Sequence, residues 1–159
     1  MPVTVVTRVR AAPEVVWDLV ADVTRMGQWS PETTRCRWLT EPPGPHEGAR
    51  FAGTNAFRGR RWRTECTVVA ADRGREFSFD VIGGGFLAVS RWTYAFRAVD
   101  GGCEVTETYV DRRGLALKLF GILALGIKDR DAHNRRTMTE TLDRLRAAAE
   151  AQVGRPPQI

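Results

Sequence analysis

The sequence predicts an α+β fold in which a seven-stranded curved antiparallel sheet wraps one long C-terminal helix, with two short helices between the first and second strands. Three observations carry this. A lone β-branched segment is followed by residues at helical spacing; six consecutive strand-length segments then run with only turn signals between them; and a 3.6-residue period returns towards the C-terminus. The short connections decide for antiparallel neighbours, because parallel neighbours need crossovers of about a dozen residues or more.

Residues 3–9, VTVVTRV, are rich in β-branched side chains and form the first strand. A helix begins at Ala12-Pro13-Glu14: proline suits a first turn, Glu14 suits the positive helix end, and Val16, Leu19, Val20 and Val23 recur at helical spacing to about Asp22. A second helical turn over residues 24–28 leads into Trp29. Strands follow at 34–40, 49–57, 61–71, 75–82, 88–99 and 103–111, separated by PPGPHEG, FRGRR, ADRG, IGGG and VDGG. From Gly114 to about Ala151 the pattern is helical, first as the very apolar LALKLFGILALGI at 115–127, then as a charged part with Met138, Leu142, Leu145 and Ala149 on one face. Glycine costs about 1 kcal/mol in a helix interior, so Gly121 and Gly126 predict a bend or a separate first segment. Residues 1–150 read as one domain and 151–159 as a flexible tail.

At 159 residues and 17.8 kDa the chain has room for one domain with a substantial core, and 43% hydrophobic with 27% charged residues excludes disorder and fibrous repeats. Cys36, Cys66 and Cys103 form no CxxC pair and there are only two histidines, which argues against a disulfide framework, a metal site and any motif-bound cofactor. A reducing, cytoplasmic setting is expected. Arg8 interrupts the N-terminus before an apolar signal segment could form, and no stretch approaches the ~20 apolar residues of a membrane span. The net charge of +5 and pI near 9.7 invite a nucleic-acid reading. Yet of the 24 basic residues only Lys118 and Lys128 are lysines, and the arginines are spread among acids, so GC-rich codon usage explains the excess and no nucleic-acid partner is expected.

The order strand, two helices, six strands, long helix, with TRVRAAPEVVWDLVADVTRMGQWSPE at the start, the pair GARFAGTN and RWRTECTVVAADRGREFSF, and the helix DRDAHNRRTMTETLDRL, resembles the START-like SRPBCC superfamily. That group contains polyketide cyclase/dehydrase proteins, the birch-pollen allergen family and steroidogenic lipid-transfer domains. The resemblance covers residues 3 to 150 and implies a helix-grip fold with a deep apolar cavity between sheet and helix. It implies no particular reaction.

Period-two parity selects the inward face of each strand, since one face of a curved sheet meets the helix. Inward sets are Phe51, Gly53, Asn55 and Phe57; Trp62, Thr64, Cys66 and Val68; Phe77, Phe79 and Val81; Ser90, Trp92, Tyr94 and Phe96; and Cys103, Val105, Glu107 and Tyr109. From these the candidate ligand-binding residues are Phe51, Asn55, Phe57, Trp62, Phe79, Trp92, Tyr94, Phe96, Glu107 and Tyr109. Glu107 is the exception on an apolar face. It either lies near a strand end or the cavity mouth, paired with an arginine or water, or is a desolvated acid with a raised pKa suited to acid–base chemistry. Tyr94, Asn55 or water are the partners open to it. Asn55 must find partners in the protein or on a ligand. His133 falls off the apolar stripe and reads as a surface or helix-edge residue; no catalytic triad can be built from the inventory. The arginines of FRGRRWR read as a solvated hairpin tip, with Trp62 turned inward.

Three functions follow from this. The first is binding of a small hydrophobic molecule, lipid, sterol-like or polyketide-like, with Glu107 orienting the ligand. The second, which the resemblance opens, is a cyclase or aromatase in which Tyr94, Tyr109 or Glu107 moves protons during aldol condensation and dehydration. The third is an interaction module akin to activator-of-chaperone domains, acting through the outer sheet face with its interior filled. Residues 115–127 read either as a helix under the sheet edge or as a lid that admits an apolar ligand and touches a membrane. Monomer and homodimer are both open.

Overall fold

The computed structural model describes residues 1–83, 85–114, 118 and 129–155. Its elements are β1 (Val3–Val9), α1 (Pro13–Ala21), a 3-10 turn (Val23–Gln28), β2 (Thr33–Trp38), β3 (Arg50–Phe57), β4 (Arg60–Asp72), β5 (Glu76–Gly83), β6 (Leu87–Val99), β7 (Gly102–Asp111) and α2 (Arg130–Val153). The alternating segments and their short turns build one antiparallel sheet in the order β1-β7-β6-β5-β4-β3-β2. Six strands form a meander, and β1 joins its far end beside β7, with Val5 opposite Glu107. Register breaks at Thr33/Arg35, Val68/Ala70 and Val81/Ile82 are the irregularities by which such a sheet bends around a helix. The β3–β4 hairpin turns on Arg58 and Gly59, both at positive φ (48° and 77°), the twist a two-residue hairpin requires.

Parity holds along the sheet. In β7 Cys103, Val105, Glu107 and Tyr109 are buried while the residues between them are not. Val16, Leu19 and Val20 of α1 and Leu142, Leu145 and Ala149 of α2 belong to one continuous core. Trp17 closes its edge, with Nε1 donating to the Glu76 carbonyl at 2.9 Å and its ring set edge-on against Phe77, centroids 6.3 Å apart.

The last helix is a separate segment, in keeping with the bend or separate first segment that Gly121 and Gly126 predict: Asp129 is extended (φ −111°, ψ 93°) and caps α2, its carboxylate accepting from the Ala132 N–H at 3.0 Å. Almost all of the apolar stretch read as a lid, 115–117 and 119–127, lies outside the described residues, as do residues 156–159 of the tail. Helix α2 continues to Val153, past the predicted end. Among the described residues no helix is long and apolar enough to cross a membrane.

Candidate functional site

Helix α1 and the C-terminal half of α2 fill only one end of the sheet's concave face. Beyond them the inward side chains of β3–β7 and the first turns of α2 do not meet, and they leave a cavity of about 280 Å³. Apolar rings form much of its wall: Phe51 and Phe79 pack edge-on at 5.2 Å, and Trp92 lies against Tyr109 at 4.8 Å. The interior is therefore not filled by the protein's own tryptophans; Trp62 and Trp92 line a space and leave it hollow.

Of the residues chosen by parity, Phe51, Asn55, Trp62, Phe79, Trp92, Tyr94, Glu107 and Tyr109 stand in this wall. Phe57 and Phe96 do not. Phe57 packs on the His133 ring at 4.7 Å with the Arg58 guanidinium over it, and Phe96 is buried in the solid core beside Cys103 and Val105. Parity places a side chain on the inner face but does not say whether it stands at the hollow end of it. Asn55 finds partners within the protein: Thr33 Oγ1 donates to its Oδ1 at 3.0 Å, and its Nδ2 donates to Thr64 Oγ1 at 3.2 Å.

Glu107 is neither at a strand end nor paired with an arginine. It sits in the middle of β7, 1% exposed, where the ladder places it opposite Tyr94. The Tyr94 hydroxyl donates to Oε1 at 2.8 Å, and Oε2 has no hydrogen-bond partner among the described residues. Burial pushes the Glu107 carboxyl up to about 8, against the opposing pull of the Tyr94 hydrogen bond, so it is mostly protonated at neutral pH. The same burial, reinforced by Glu107, drives the Tyr94 phenol well above its ordinary value. Cys36 is raised to about 11 and Cys66 higher still, both chiefly by burial, so neither thiol is a reactive thiolate.

A cationic corner lies where β7 ends. Arg113 is held by Asp111 through contacts at 2.8 and 3.0 Å, and Arg130 of α2 lines the cavity, its Nε without a hydrogen-bond partner among the described residues. Burial raises the Tyr109 phenol there, with Arg130 and Arg113 pulling the other way.

His133 corrects a further expectation: it is 6% exposed, not on the surface. Its Nε2 contacts Glu32 Oε1, while Arg136 Nη2 lies 3.3 Å from Nδ1. An arginine can only donate, so Nδ1 accepts and the ring proton faces Glu32. Glu32, Thr33, Thr137 and Thr141, all in the cavity wall, were not among the chosen residues. His133, Thr137 and Thr141 form an i, i+4 row beside the apolar stripe. A search for hydrophobic residues passes over such a row, although the same spacing rule would place it on the inner face.

Comparison with known proteins adds the lineage. Among curated proteins no relative matches. The solution structure of a polyketide-cyclase-like protein, Cgl2372 from Corynebacterium glutamicum, matches with 27% identity and a TM-score of 0.59, over 96% of this chain and 93% of that one. Protein NE0264 from Nitrosomonas europaea shares the fold at 10% identity with a TM-score of 0.72, over 98% and 97% of the two chains. Protein Ms6760 from Mycobacterium smegmatis does so at 19% identity with a TM-score of 0.65, over 95% and 92%. The family model described as polyketide cyclase / dehydrase and lipid transport matches residues 2–150, and the chain belongs to that family.

Proposed function

We propose that the protein binds one small, predominantly apolar molecule in the cavity between sheet and helix. The observation that carries this reading is the hollow end of the sheet: about 280 Å³ walled by the rings of Phe51, Phe79, Trp92 and Tyr109, with hydroxyls, the Asn55 amide and the Glu107 carboxyl set between them. An apolar enclosure with a few oriented polar groups is how small-molecule sites are generally built. Solid packing would serve stability better, since unfilled space costs about 24 cal/mol per Å³ in a core.

The test is a titration with Prodan, a neutral naphthyl ketone whose fluorescence reports its surroundings. Binding should saturate at one molecule per chain. Trp92→Ala, in the wall, should weaken it at least several-fold, while Thr93→Ala, the next residue and on the other face, should leave it unchanged. Absence of saturable binding, or equal effects of the two substitutions, would remove this reading.

A cyclase-type reaction is the second reading, favoured by one observation: a carboxyl brought to about 8 and bonded to a phenol can give and take a proton near neutral pH. Loss of turnover of a polyketone in Glu107→Gln with binding retained would decide for it.

A further inference from the structure

Glu107 lies in the cavity wall with one oxygen used and the other idle. Tyr94 donates to Oε1, and among the described residues no group bonds Oε2: β1 places Val5 opposite Glu107, and α2 brings Met138 and Thr141 to the same cavity. Thr141 spends its hydroxyl proton on the Thr137 carbonyl at 2.8 Å. A buried polar atom without a partner is costly, so a cavity that retains one is shaped for an occupant that completes it.

We propose that Glu107 determines ligand specificity: its Oε2 receives a neutral oxygen of the bound molecule, so the cavity selects an apolar ligand carrying a ketone, ester or hydroxyl and rejects a carboxylate or sulfonate at that point. This rests on the ligand-cavity reading above. A protonated carboxyl donates through Oε2 to a carbonyl, or exchanges hydrogen bonds with a hydroxyl; an anionic head group in the same place would have its charge desolvated beside rings and would be repelled as Glu107 ionised.

Other ionisable groups share the cavity. Tyr94 on β6, Tyr109 on β7, Cys66 on β4 and Cys36 on β2 are all raised, chiefly by burial, and stay protonated through the range in which Glu107 titrates. Glu32 precedes β2 and is engaged with His133; Arg113 is engaged with Asp111. Arg130, its Nε without a hydrogen-bond partner among the described residues, is the rival anchor, and it would favour an anionic ligand.

The experiment measures Prodan and anilinonaphthalene sulfonate binding to the full chain from pH 6 to pH 9.5. Prodan affinity should be full below about 8 and fall as pH rises through that value. Between pH 7 and pH 9 the fall should be about tenfold, the ratio expected when only the protonated carboxyl donates. Glu107→Gln keeps an acceptor for Tyr94 and presents an N–H₂ donor that does not titrate, so it should still bind Prodan, with a flat pH profile. Glu107→Leu should weaken Prodan several-fold and shift its emission to the blue, because the carbonyl loses its donor. The sulfonate should bind at least tenfold more weakly than Prodan to the wild type.

A wild-type pH profile as flat as that of Glu107→Gln overturns the inference without touching the ligand-cavity reading, provided Trp92→Ala still weakens Prodan. Preference for the sulfonate, abolished by Arg130→Gln, overturns it in favour of the cationic corner. Failure of Prodan to bind at any pH overturns both.

Discussion

β6 and β7 run through both halves of the molecule with the same inward parity, yet their two ends are built differently. At the end beside α1, Phe96, Cys103 and Val105 meet Val16, Trp17 and Phe77 in a continuous core with Leu142 and Leu145. At the other end Ser90, Trp92, Tyr94, Glu107 and Tyr109 face open space with Thr137, Met138 and Thr141 across it. One end is nearly all apolar; the other mixes rings with hydroxyls and a carboxyl. The difference arises because α1 covers only half of the sheet. Stability is concentrated where a helix supplies the missing surface, and the polar side chains that a packed core would exclude are tolerated where none does.

That contrast is open to direct attack. The largest effect is expected from Trp17→Ala, which removes both a buried ring and the Nε1 bond to Glu76 at the packed end. It should cost about 3–5 kcal/mol in urea denaturation, while the folded fraction still binds Prodan. Trp92→Ala should reverse the pattern, with a stability loss under about 2 kcal/mol and a clear loss of binding. If Trp92→Ala proves the more destabilising, the two ends are not built as described.

The next largest effect is set by pH. Glu107 binds its proton more tightly folded than unfolded, so its contribution to stability is complete below 4.5 and is lost as pH rises to about 8. Denaturation of wild type and Glu107→Gln across that window should show the variant gaining on the wild type by about 1.4 kcal/mol per pH unit, with a constant gap above it. A gap independent of pH would place Glu107 in a solvated setting.

A smaller effect belongs to the contact between Glu32 in the cavity wall and His133 behind it. His133→Ala strips Glu32 of its partner and should cost about 1–3 kcal/mol, seen as a lower thermal midpoint, and should change Prodan affinity less than Trp92→Ala does. Smallest is Arg97→Ala on the outer face. Its ion pair with Glu104 is solvent-exposed, so no change in midpoint or binding should be resolved; a clear change in either would contradict the division between faces.

These expectations show where the sequence was legible. Strand order and inward parity followed from alternation and turn chemistry, because a slip of one residue would turn every ring of β6 outward. The family resemblance followed from the order of elements. Phe57 and Phe96 share the inward parity yet lie outside the cavity wall, because alternation has no coordinate along the strand: it distinguishes inside from outside, but not hollow from packed. The glycines at 121 and 126 announce a separate helical segment, but the cap at Asp129 depends on a local side-chain bond that the periodicity does not carry. His133 was missed because its burial depends on Glu32, 101 residues away in the chain, and on the Phe57 ring at the end of β3. Glu107 is legible for a simple reason: a carboxylate in an apolar alternation contradicts its surroundings.

The most direct test of the hollow end is a proton–nitrogen correlation spectrum of the five tryptophan indoles, recorded with and without saturating Prodan. Trp62 and Trp92 stand in the cavity wall, whereas the Trp17 indole is bonded to the Glu76 carbonyl at the packed end. Prodan should move the Trp62 and Trp92 resonances and leave that of Trp17 in place. A shift of Trp17 as large as that of Trp92, or no shift in either wall indole under saturating probe, would contradict the account.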